Sequence, residues 1–144
     1  MAEQQVIEPL AKFHTQVYRN GRIAIPKNER DYFGIGQHDI VELIIRKIKE
    51  DKIIGRGWFL AQLTVRGVLT IPLGLRKELD ISDGDFIEVL LLSFIRIEDV
   101  IGEKGLKIMR ALRANDYRII SDEDEKRLLS MLSRGIYHIL FIDE

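Results

Sequence analysis

The residues of this 144-residue chain best suited to chemistry are arginines and lysines set around short turns. Arg19 and Arg22 flank an Asn20-Gly21 turn, and Lys27 and Arg30 follow on a short helix-forming stretch. Cations placed there can hold an anion, because the first N–H groups of a helix have no partner inside it. Further along, Arg66, Arg76 and Lys77 repeat part of the arrangement. A third basic group, Arg46, Lys47, Lys49, Lys52 and Arg56, reads as the solvated tip of a hairpin. The competing reading for Arg30 is an ordinary salt-bridged surface, since Glu29 and Asp31 stand beside it.

Other chemistries find little material. The chain has no cysteine, which removes disulfides, thiolate metal sites and cysteine nucleophiles. His14, His38 and His138 are scattered, so structural histidines are expected rather than metal ligands. Asp80, Ser82, Asp83 and Asp85 have the look of a calcium loop, but Gly84 is misplaced and no glutamate closes it; an Asp-Gly turn fits better. No nucleophile elbow, phosphate cradle or carboxylate pair in a credible cleft is present. The expectation is a protein that is not an enzyme and needs neither metal nor cofactor.

The elements that must position the cations come in two copies. Shifted by 46 positions, residues 13–43 fall on residues 59–89 without a gap, and nine of 31 columns are identical, among them Gly21/Gly67, Pro26/Pro72 and Arg30/Arg76. In each copy an alternating strand (Phe13 to Arg19; Phe59 to Val65) leads into the glycine turn. A short strand follows, Arg22 to Ile25 and Val68 to Ile71, ended by a proline that cannot donate to a ladder. Helices are expected over about Lys27–Phe33 and Leu73–Leu79, with Gly34 closing the first and Asp80 in its place in the second. Two strands then close each unit: Ile40–Arg46 and Lys52–Ile54, then Phe86–Phe94 and Arg96–Ile101. The resulting ββαββ unit of about 45 residues is too small to be stable alone, so the two must share one core. Trp58 and Phe59, at the junction, are expected core anchors.

NGRIAIPKNERDYFGIGQHDIVEL and RGVLTIPLGLRKELDISDGDFIEV each resemble the AbrB/SpoVT/MazE family of swapped-hairpin DNA-binding domains. The resemblance implies an α+β, mainly β fold: a swapped-hairpin barrel of two ββαββ repeats that docks a basic face on duplex DNA. It maps the family's turn and helix arginines onto Arg22 and Arg30. Arg66, Arg76 and Lys77 are the second copy's counterparts, with Val68 where the turn arginine would stand. Asp31 occupies a position that is basic in many members.

The chain divides accordingly into an extension (1–12), two repeats (13–57 and 58–101) and a tail (102–144). In the tail, Lys104–Ala114 carries apolar residues at helical spacing. A capped acidic start at Ser121–Asp124 opens a second helix to about Ser133, with Gly135 ending it. Ile136–Ile142 reads as a buried or partner-facing strand. This α-hairpin plus strand is expected either to join chains into a homodimer or larger oligomer, or to sense an effector, or to pack on the barrel.

Hydrophobic residues make up 46% and charged residues 31%, a globular balance with no run long enough to span a membrane. The N-terminus lacks a signal-peptide layout, so a cytoplasmic, nucleoid-associated protein is expected. Abundant Ile, Lys, Arg and Glu with few Asn and Gln lean toward a thermophile. The net charge of −1 conceals +4 over residues 13–66 against −4 over residues 67–101. That asymmetry favours a transcription regulator or chromatin-associated protein whose first copy dominates contact with DNA. The alternative is a scaffold module on the same barrel that has lost DNA binding and engages a protein partner.

Overall fold

The computed structural model describes residues 8–133, and its elements recur at the spacing of the repeat. The first copy contributes β1 (Ala11–Gln16), β2 (Arg22–Ala24), α1 (Lys27–Phe33) and β3 (Ile40–Lys49). The second contributes the latter half of β4 (Lys52–Gln62), then β5 (Val68–Thr70), α2 (Leu73–Glu78) and β6 (Phe86–Ile95). The tail adds α3 (Gly102–Ala114), β7 (Tyr117–Ile120) and α4 (Asp122–Ser133). The class is α+β, mainly sheet. Pro26 and Pro72 stand directly before α1 and α2, and Gly34 ends α1 in the left-handed conformation (φ 68°). Among the described residues no helix is long and apolar enough to cross a membrane.

Five strands form an open antiparallel sheet in the order β1-β6-β3-β4-β7, and β2 pairs with β5 as a separate ribbon. Each copy's first strand lies on the other copy's last: β1 on β6, and the end of β4 on β3. Residues 46 positions apart face each other at two places, Ile44 opposite Leu90 in the sheet and Ile23 opposite Leu69 in the ribbon. An approximate two-fold relation between the copies therefore runs through both pairs.

Two expected strands have other fates. Lys52–Ile54 is the beginning of β4, which runs unbroken through Gly55 and Gly57 into the second copy. Arg96–Ile101 is not a strand: β6 stops at Ile95 and Ile97–Asp99 forms a 3-10 turn. The Ile97 N–H donates to the buried Asp39 carboxylate (2.9 Å), which draws the chain off the sheet at that point. The proposed strand Ile136–Ile142, the stop at Gly135 and His138 lie outside the described residues.

The sheet is apolar on both faces, and each face has its own cover. One face packs on the ribbon and the two short helices, burying Phe13, Val17, Leu43, Phe59, Ile71 and Leu75 among others. The other presents Ile40, Ile44, Trp58, Leu60, Leu90 and Leu92 to Ile108 and Ala111 of α3, Ile120 of β7, and Leu128 and Leu129 of α4. The tail's described part is thus a layer of the same molecule, with β7 hydrogen-bonded along β4. Within this second core the Glu42 carboxylate accepts from Trp58 Nε1 and Ser93 Oγ, both at 2.7 Å.

Candidate nucleic-acid interface

The two glycine turns are three-residue 3-10 turns, Arg19–Gly21 and Val65–Gly67. Their backbones match closely: Asn20 and Arg66 have φ 64° and 60°, and Gly21 and Gly67 have φ 71° and 69°. Glycine is required at the second position for its positive φ and for space. A Cβ on Gly21 would strike the Arg76 guanidinium, and one on Gly67 would strike the Arg30 side chain. Each helix arginine therefore crosses to the opposite copy's turn. Its Nε is meanwhile held by a carbonyl of its own copy, five residues upstream: Arg30 donates to Ile25 O and Arg76 to Ile71 O, both at 3.0 Å. The backbone repeats the exchange, with Ile25 N–H donating to Gly67 O and Ile71 N–H to Gly21 O. Turns, ribbon and both short helices are tied into one unit.

The seven cations expected to bind converge on this unit. Arg19, Arg22, Lys27, Arg66 and Lys77 are exposed, and Arg30 and Arg76 are half-buried. Among the described residues none of the seven forms an ion pair, despite the acidic neighbours of Arg30. Arg22 also lines a groove of about 370 Å³ with Gln62, Thr64, Thr70 and Asn115, the last of these from the end of α3.

The expected hairpin tip behaves differently. Arg46 and Arg56 both reach Glu125 of α4, with Arg46 also on Glu88 and Arg56 on Asp122. Two hydrogen bonds from the Arg46 guanidinium to the Glu125 carboxylate, at 2.8 and 2.7 Å, hold it protonated well beyond its usual range, outweighing its burial. Lys47 turns onto the Asp80 carbonyl. These cations fasten the tail and brace the second copy's loop.

Some contacts at the interface have no counterpart in the sequence reading. The Asp83 carboxylate receives both amides of the first turn, Asn20 N–H (3.2 Å) and Gly21 N–H (3.3 Å). Position 37, which corresponds to 83 across the repeat, is Gln37. In the tail, Tyr117 donates to Glu78 at the end of α2 (2.6 Å), and its ring covers Gly74. That hydrogen bond to a carboxylate raises the Tyr117 hydroxyl's pKa above its ordinary value. The only advance sign of the first contact was the Asp83-Gly84 pair, which marked a turn but not its target. His14 stands 3.0 Å from Glu88 on an outer strand, and among the described residues no cluster of His, Asp and Glu could hold a metal.

No family model and no curated protein matches the chain. Among solved structures, it is similar to the solution structure of PHS018 from Pyrococcus horikoshii, at 43% identity and a TM-score of 0.57. The match covers 62% of this chain and 96% of PHS018.

Proposed function

The chain belongs to one family with PHS018 from Pyrococcus horikoshii, and from that starting point we propose that it binds duplex DNA through the surface built by its two turns, ribbon and short helices. One observation carries the reading: seven cations from both copies gather on a single cross-tied unit and none forms an ion pair among the described residues, whereas Arg46, Lys47 and Arg56 each form one. Phosphate contacts from these side chains supply affinity through counterion release. Exposed Arg22, on the outer side of the ribbon, is the side chain best placed to reach a base edge. The strand exchange between copies and the shared ribbon support a swapped-hairpin barrel of the AbrB type as the scaffold. In this reading the protein is a transcription regulator or chromatin-associated protein, and it includes no catalytic step.

The test is binding of a labelled mixed-sequence duplex followed by fluorescence anisotropy between about 50 and 200 mM salt. Affinity falls steeply across that range, by up to about four decades if all seven cations touch phosphates. Arg22→Ala and Arg66→Ala each flatten the log–log slope by about 0.9 if they remove one phosphate contact. Binding that is absent at low salt overturns the reading and leaves a protein-binding scaffold, toward which Asp83 and the −4 segment around it point.

A further inference from the structure

The two turns are the same backbone in two electrostatic states. The first holds an anion already: the Asp83 carboxylate bridges the amides of Asn20 and Gly21. Paired amides in this conformation form a concave anion seat, and a carboxylate bound there is what such a seat selects. The second turn is held by the same pair of loop contacts. Leu63 N–H donates to Asp39 O and His38 N–H to Leu63 O, as Val17 N–H donates to Asp85 O and Gly84 N–H to Val17 O in the first. The loop that delivers Asp83 to the first turn therefore has a twin that delivers residue 37 to the second. Gln37 is exposed and makes no hydrogen bond among the described residues, and the Arg66 and Gly67 amides meet no side-chain acceptor among them.

We propose that the Arg66–Gly67 turn is a phosphate seat, whereas the Asn20–Gly21 turn is closed to phosphate by the chain's own carboxylate. Arg66 brings an exposed cation to the open seat, and the Arg30 side chain lies against Gly67. The arrangement reverses the lopsidedness expected from net charge: the acidic second copy owns the better phosphate contact. The inference deepens the DNA reading by naming the turn that takes a phosphate group, and free phosphate and the DNA backbone share that chemistry.

The experiment separates those two sources on the full chain. Inorganic phosphate is titrated at low ionic strength while backbone amide resonances are followed. The amides of Arg66 and Gly67 shift and saturate, and those of Asn20 and Gly21 stay still. Gln37→Asp, an exposed change that leaves the fold intact, supplies the missing carboxylate and abolishes the Arg66 and Gly67 shifts. Asp83→Ala makes Asn20 and Gly21 responsive in turn. Silence at Arg66 and Gly67, equal response at both turns, or a response unchanged by Gln37→Asp overturns the proposal. With duplex DNA, Gln37→Asp lowers the salt slope by about 0.9 and Asp83→Ala raises it by a similar amount. Phosphate binding at the seat without any DNA binding overturns the DNA reading alone. DNA binding with a silent seat overturns this proposal alone.

Discussion

Truncation after Ile101 strips α3 and α4 from one face of the sheet and removes its edge strand β7. Six large side chains then lose their cover: Ile40, Ile44, Trp58, Leu60, Leu90 and Leu92, none more than 9% exposed in the intact chain. Full burial of such a side chain is worth about 1.5–3 kcal/mol, so if the tail provides half of it the loss is about 5–9 kcal/mol. A whole domain is stable by only about 5–15 kcal/mol. The sequence reading left room for a truncated chain that keeps a folded barrel at lower oligomeric order; the structure argues for one that aggregates or unfolds. Soluble yield, sedimentation and the emission of Trp58, the single tryptophan, report the outcome. Ile44→Thr with Leu90→Thr in the truncated chain recovers solubility, because both lie on the uncovered face and leave the other core untouched. A truncated chain that is soluble, monomeric and as resistant to urea as the whole refutes the reasoning.

The tail is also held by charge. Glu125→Ala removes the carboxylate that two half-buried arginines share, leaving Arg46 with Glu88 and Arg56 with Asp122, and costs about 1–3 kcal/mol in urea unfolding. Combined with Arg46→Met it costs clearly less than the two changes summed, and strict additivity contradicts the network. Asp122, held by Lys126, and Asp124, held by the Ser121 amide and hydroxyl, ionise below their ordinary value of 3.8. Depressed carboxyls stabilise the folded state above that pH and lose the effect as pH falls through their folded values. The α4 start therefore frays in acid below about pH 4 while the sheet persists, as amide exchange at Asp122–Glu125 would report. Gly21→Ala forces a side chain into positive φ and into Arg76, costing at least ~1–2 kcal/mol by thermal or urea unfolding.

The repeat was the most legible feature. Conspicuous glycines and prolines at fixed offsets located both turns, both short helices and the strands around them, and helical periodicity located α3 and α4. In sequence, β4 falls into two strands, Lys52–Ile54 and Phe59 to Val65, because Gly55 and Gly57 interrupt the β-rich pattern between them. Both are glycine for a tertiary reason: a Cβ at either would collide with Leu79 or Leu75 of the second copy. Strand β7 has no signature in the sequence because four residues between two helices carry no period of their own, and its pairing with β4 supplies what makes it a strand. At the candidate interface, residue type and spacing identified the cations. They could not say which copy each arginine crosses to, that Glu125 captures Arg46 and Arg56, or that Asp83 fills one turn and Gln37 leaves the other open. Those facts depend on contacts between residues far apart in sequence.

Under the proposed function, the cross-tied turns, ribbon and helices form the surface that meets duplex DNA. Amide chemical-shift mapping of the full chain with a short duplex at low salt tests it most directly. Perturbations are expected in residues 19–30 and 65–77, with Leu112 and Asn115 beside Arg22, and are released by added salt, while α4 stays unmoved. Perturbations confined to the tail, or none at any position, would contradict it.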